Sequence, residues 1–365
     1  MHHLVAFGHA RQVALLDGFQ VPSISTSLAP NAEDGGGGSL RVLAENADCA
    51  LQGPTKGGSF EVSGAQAREW LLHSPNPNRK SCADVLLPWF NGASITGRAN
   101  DDWIIDFSEC SLAEASLYEA PFAHVEAHVK RGKLAQARES RRQRWWLFNE
   151  TAPKLRLAAA ALPRLLVTPE VSKHRLWSWL STPVCADKNL IVVVRSDDVT
   201  FGVLQSRMHS LWALRYGTSL ENRPRYTSTT TFRTFPFPAG LTPADTAHQR
   251  TEAIEGGAVI PADLSSPPVR AEVSKPWHAQ KPFDTSGRTE KKESQLAGVS
   301  IQIHAEAIAR AAYRLNDLRE AWLNPPAWTE RVPEVIPLGM ATSPYPDRIV
   351  AKAPSSASPR SSVSA

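Results

Sequence analysis

The chain has four cysteines, Cys49, Cys82, Cys110 and Cys185, and no two of them form a CxxC pair. That spacing argues against a zinc site of the usual kind. Four scattered thiols in 365 residues also make no disulfide framework, so a reduced, cytoplasmic setting is expected. No apolar run approaches the roughly 20 residues that span a bilayer, and no membrane partner is expected. The opening MHHLVAFG lacks a basic stretch leading into a long apolar one; it reads as a strand rather than a secretory signal.

Catalytic patterns are missing as well. The eleven histidines show no HExxH or similar ligand spacing, and no metal is expected. Ser206 and His209 stand at i and i+3 with no third orienting group. Asp101 and Asp102 flank a strand without the partners a nuclease needs. Asn324-Pro325-Pro326-Ala327-Trp328 approaches the Asn-Pro-Pro-aromatic motif of amino-group methyltransferases, but Ala327 separates the aromatic from the second proline. No glycine-rich strand-to-helix turn precedes it, so no cofactor is expected to bind this chain. The segment reads as a helix terminator, and Asn76-Pro77-Asn78 fails the same test.

What is present suits a folded, soluble protein. Hydrophobic residues make up 42%, eleven of the residues are Trp, and mean hydropathy is -0.28. The net charge of +4 permits a nucleic-acid partner without requiring one, because distribution matters more than sum.

Along the chain, Gly57 to Val62 reads as a turn into a strand, and Ser63 caps a helix through Leu72. Trp103–Phe107 reads as a buried strand. Ser111 and Glu114 have capping-box spacing for a helix to Tyr118. Pro121 then interrupts, and helical spacing resumes toward Trp146. Leu190–Val194 is a strand by composition, and Phe201–Leu204 follows as a strand-like piece after an Asp197-Asp198 turn. Ser206–Tyr216 is helical, with Met208, Leu211, Trp212 and Leu214 apolar. Residues 241–303 read as a linker or disordered insertion, poor in aromatics. A helix from about Ala305 to Trp322 carries Ile308, Ala311, Ala312, Leu315 and Leu318 on one face, and 351–365 is a low-complexity tail. The fold class is α+β.

Two segments have chemistry suited to DNA. Lys130, Arg131, Lys133, Arg138, Arg141, Arg142 and Arg144 lead into Trp145-Trp146. They form either a phosphate-tracking surface or a solvated helix face above two core tryptophans. Further on, Glu221, Arg223 and Arg225 alternate on an extended stretch. A carboxylate there can accept from cytosine N4, and an arginine fork can donate to guanine O6 and N7. Surface salt bridging is the plainer alternative.

Several strings, in this order and spacing, resemble the C-terminal half of MmeI-like adenine DNA methyltransferases of type IIG/IIL restriction-modification and related phage-defence systems. They are LAEN at 43–46, GGSF at 57–60, SPNPN at 74–78, DVLLPW at 84–89 with Asn91-Gly92, WIIDF at 103–107 and Trp145-Trp146. TPEVSKHR at 168–175, FGVLQSRMHSLWAL at 201–214, PRYTSTTTFRTFPFP at 224–238 and RLNDLREAWLNPPAW at 314–328 follow. The resemblance implies a target recognition domain over 1–240 and the start of a C-terminal helical segment over 304–350. It also implies a double-stranded DNA partner. S-adenosylmethionine would be used by a methyltransferase domain or subunit whose motifs lie upstream of Met1. By this resemblance Glu221, Arg223 and Arg225 would read bases, and the 130–144 cations would hold phosphates. Alternatives are a truncated remnant of such an enzyme, or a specificity subunit working with a separate catalytic chain.

Overall fold

The computed structural model describes residues 14–16, 19–21, 40–73, 76–220, 223–264 and 287–352, with side chains of 14–21, 220 and 287–299 left aside. The expected strand at the N-terminus and the tail beyond 352 lie outside these residues. Strands β1 (Ala14–Leu16) and β2 (Phe19–Val21) pair antiparallel, followed by β3 (Ala50–Gln52) and β4 (Glu61–Ser63). Ser63 accepts from the amide of Gln66 and so starts α1 (Gly64–Leu72), as its sequence predicts. Next come β5 (Leu86–Phe90), α2 (Gly92–Thr96) and β6 (Asp102–Ile105).

Ser111 and Glu114 form the expected capping box ahead of α3 (Leu112–Ser116). Pro121 does not break the next helix. It lies in the first turn of α4 (Glu119–His128), where an amide proton is not needed. The helical stretch continues as α5 (Lys130–Leu134) and α6 (Glu139–Gln143) and ends before Trp145. After α7 (Pro153–Ala159) come β7 (Arg164–Pro169), β8 (Ser178–Ser181), β9 (Cys185–Ala186) and β10 (Leu190–Val193).

Phe201–Leu204 is helical, which corrects the strand reading. The carboxylate of Asp197 accepts from the amide and hydroxyl of Thr200, capping α8 (Asp198–Gln205). That helix is buried on nearly every side, so its apolar run carries no clear period. Ser206 caps α9 (Arg207–Tyr216). The hairpin β11 (Thr218–Leu220) and β12 (Arg223–Arg225) follows, then β13 (Thr251–Ala253), β14 (Val259–Pro261), α10 (Gly287–Leu323), β15 (Thr329–Val332) and β16 (Arg348–Ala351).

Two four-stranded sheets organise the fold. One runs β3-β10-β7-β8 and is antiparallel, and the other runs β4-β6-β5-β9. The first has apolar cores on both faces because β7 and β10 are apolar at successive positions. Leu165, Val167, Leu190 and Val192 pack on one face, and Leu166, Ile191 and Val193 on the other. The second sheet packs Phe60, Trp103 and Ile105 against Trp145, Trp146 and Phe148.

The chain beyond 240 is not a detached linker. Leu241, Ala258 and Ile260 share one buried cluster with Val199 of α8 and Ala305 and Ala309 of α10. The linker reading is therefore corrected for 241–264, and also for 287–303, which form the first part of α10 rather than leading up to a helix at Ala305; residues 265–286 lie outside those described. The last part of the chain also clamps the second sheet. Tyr345 is buried against Trp103 and donates to the carbonyl of Leu86, and Arg68 pairs with the buried Glu334 at 2.8 Å.

Candidate nucleic-acid interface

Three turns distant in sequence meet at one end of the first sheet. The turn after β7 begins with Glu170, whose amide donates to the carbonyl of Asn189, in the turn before β10, at 2.7 Å. The carbonyl of Glu170 accepts from Tyr226, at the end of β12, also at 2.7 Å. Ser172 donates to the carbonyl of Pro224, and Val171 bridges Arg225. The turn holding Lys188 is fixed from beneath, where Gln52 donates to the Lys188 carbonyl at 2.8 Å.

The hairpin is anchored by Tyr226, which is fully buried. Its ring meets Trp177 edge to face at 5.3 Å, and its hydroxyl lies 3.1 Å from Nε2 of His209. Nδ1 of His209 is 2.8 Å from the Leu204 carbonyl, which can only accept. His209 therefore carries its proton on Nδ1, and Tyr226 donates to Nε2. Burial pushes the imidazole down to about 4, so the ring is neutral. Arg175 lies over the Tyr226 ring at 5.0 Å. The Ser206/His209 pair is thus structural: Ser206 caps a helix, and His209 holds a tyrosine.

The run TSTTTF after the hairpin forms a π-type turn at Ser228–Phe232, opened by Thr227 accepting from the amide of Thr230. Buried Asn46 donates to the carbonyl of Phe235 at 2.7 Å, tying this turn to the start of the domain.

Arg223 and Arg225 lie two residues apart on β12, so they share one face. Both are exposed. Arg225 is bound by Glu170, with Nε 2.8 Å from the carboxylate. Arg223 borders a cleft of about 570 Å³ whose walls include Lys56, Trp89, Asn91, Glu170 and Asn189. Glu221 lies outside the described residues. The same end of the sheet carries exposed Lys173, His174, Lys188 and Asn189, which the sequence reading did not single out. Lys173 and His174 lie inside a string noted only for its resemblance. Lys188 and Asn189 gave no signal, because only the strand pairing brings them here.

The 130–144 segment divides. Lys133 is buried, and its ammonium donates to the carbonyl of Leu147 at 2.6 Å and to Asn149 at 2.9 Å, so it does not face a phosphate. Burial lowers it to about 8. The phosphate reading is corrected for this residue. Trp145 and Trp146 are core, with Lys130 lying 4.8 Å above the Trp145 ring and paired to Glu126. Arg142 donates to the carbonyls of Gln136 and Ala137 and pairs with Glu139. Arg141 is half-buried, whereas Arg131, Arg138 and Arg144 are exposed. The segment adjoins the cleft: Gln136 donates to the carbonyl of Gly57, and Asn149 to that of Lys56. Lys56 in turn lies 4.9 Å over Trp89.

Among the described residues no group of three metal-ligating side chains occurs, and no helix is long and apolar enough to cross a membrane. Asn324 donates to Glu320 just past the end of α10, and Trp328 is 72% exposed, with no joint site between them.

A search of curated proteins finds no match. Among solved structures the chain is similar to the type IIL restriction-modification enzyme MmeI in complex with DNA. The identity is 16% and the TM-score 0.46, over 60% of this chain and 29% of that one. The chain thus spans less than a third of the length of that enzyme. The family model for the MmeI target recognition domain matches residues 53–239, more than half of the sequence, and the chain belongs to that family.

Proposed function

We propose that this chain binds double-stranded DNA and reads a short site, as the target-recognition part of an adenine-N6 methyltransferase of a restriction-modification or phage-defence system. The observation that carries this reading is the convergence of three interlocked turns bearing Arg223, Arg225, Lys173, Lys188 and Asn189. A base reader has to be held rigidly, and here main-chain hydrogen bonds hold the turns to one another. Family membership supports the same reading.

In this account Arg223, with Glu221 beside it in the chain, reads base edges. Arg225 is held by Glu170 and fixes the hairpin. Arg131, Arg138 and Arg144, with Lys173 and Lys188, track phosphates, which set register without carrying sequence information. Methyl transfer would come from a methyltransferase domain or subunit using S-adenosylmethionine, acting in the cytoplasm. Residues 40–352 would work as one recognition unit.

Selection of bound duplexes from a random pool, sequenced after several rounds, tests the proposal. Enrichment of one short motif by the intact chain, lost in Arg223→Ala, is the expected result. Binding that follows salt but enriches no motif would leave only a non-specific DNA binder. Absence of binding at low salt would overturn the reading.

A further inference from the structure

The long helix α10 has a wider apolar arc than its own domain covers. Ala305, Ala309 and Ala312 are buried, and Ile308 is half-buried at the border beside Gly202 of α8. The sequence reading put Ala311, Leu315 and Leu318 on the buried face with Ala312, but they lie beside it and in the open. Ala311 is exposed, Leu315 is 46% exposed, Leu318 59% and Trp322 78%. From Ile308 these positions step by three, four, three and four, which is the spacing of a coiled-coil seam. From 308 to 322 the seam is about 21 Å long. Its spacing calls for an α-helix lying along it.

We propose that the occupant is α10 of a second copy of this chain, antiparallel across a two-fold axis between positions 316 and 317. The seam is self-complementary in that arrangement alone. Leu315 meets Leu318 of the second copy, and the small Ala311 meets its large Trp322, so four layers alternate in size and fill space. Parallel pairing would set Trp322 on Trp322 and leave a gap at Ala311. The flanks agree. Ala307, Arg314 and Ala321 border the seam, and antiparallel pairing sets Arg314 beside the second copy's Ala321 rather than beside another arginine. Arg319, on the other border, is turned inward to the carbonyl of Ile95 and is not in the way. A closed two-fold contact of this kind ends at the dimer.

Sedimentation equilibrium of the full chain between 1 and 100 μM, without DNA, tests this. The expected result is a monomer–dimer equilibrium within that range. Leu318→Glu should weaken it at least tenfold with little change in melting temperature, whereas Met208→Glu, on the exposed face of α9, should not affect it. Mixing Leu315→Cys and Leu318→Cys chains should give a disulfide dimer between the two kinds, and neither kind should cross-link with itself. A monomer at every concentration would overturn the proposal. So would a dimer insensitive to Leu318→Glu, or cross-linking of each variant with itself. A monomeric wild type that loses several degrees of melting temperature on Leu318→Glu would show the seam covered by the chain's own remaining residues, and would also overturn it.

Discussion

The guanidinium of Arg225 lies 2.6 Å from the carboxylate of Glu170, and the same Glu170 accepts the Tyr226 amide on its backbone carbonyl. One acidic residue therefore holds the end of β12 twice. A guanidinium held this way serves the fold of the hairpin, and the base-edge reading rests on the place of Arg223 at the cleft. Arg225→Ala should weaken binding to all sequences alike. It should change stability by no more than about 1 kcal/mol, since the pair is half-exposed. Arg223→Ala should instead relax one position of the bound motif, at about 1–3 kcal/mol of discrimination. Affinities for a panel of single-base variants separate the two. A uniform loss in Arg223→Ala would mean it touches only backbone.

The exposed and buried cations of 130–144 should differ in kind. Replacing Arg131, Arg138 and Arg144 with Gln should flatten the log–log salt dependence of DNA binding by up to about 0.9 for each phosphate left without its cation. Lys133→Met should leave that slope unchanged. It removes the donor to Leu147 and Asn149 and should cost about 1–3 kcal/mol of stability, read by urea unfolding. A flattened slope in a stable Lys133→Met protein would contradict the buried placement.

Acid should loosen the hairpin anchor. His209 is held neutral, at about 4 in the folded chain, against about 6.5 when unfolded. Its contribution to stability is complete above pH 6.5 and is lost as pH falls from there toward 4, because the unfolded state takes up the proton first. The full loss is about 3 kcal/mol. Wild type should therefore lose more melting temperature between pH 7 and pH 4.5 than His209→Gln, which does not titrate there. Parallel curves for the two proteins would show that His209 is not buried as described.

The legible parts of this fold were the local ones. Ser63 and the Ser111/Glu114 pair cap helices within three residues of themselves, so sequence spacing determined them. α8 was missed because burial on all sides erases the helical period, and only the Asp197–Thr200 cap marks its start. The 241–264 segment looked too poor in aromatics to fold. It packs through small and aliphatic residues such as Ala258 and Ile260 against alanines of α10, which composition does not reveal. At the candidate interface, the two arginines of β12 were visible as a pattern. Lys173, Lys188 and Asn189 were not, because residues so far apart meet only once β7, β10 and the hairpin have paired.

The packing of α8 on α10 depends on one missing side chain. A β-carbon at Gly202 would stand 2.5 Å from Cγ2 of Ile308, 3.1 Å from its carbonyl oxygen and 3.3 Å from Cβ of Ala312. The Ile308 methyl can rotate away; the carbonyl belongs to the helix backbone and can yield only if α10 moves. Gly202→Ala would gain helix propensity in isolation, by about 1 kcal/mol, yet the clash should outweigh that gain. A net loss of about 1–3 kcal/mol is expected. Adding Ile308→Ala should relieve the side-chain part of the clash but not the backbone part. The double variant should then lose less than the sum of the two singles, with a coupling of at least about 0.5 kcal/mol. Urea unfolding of the four proteins measures this directly. Gly202→Ala as stable as wild type would mean the two helices are not closely packed, and the joining of 241–264 and α10 to the recognition fold would fall with it.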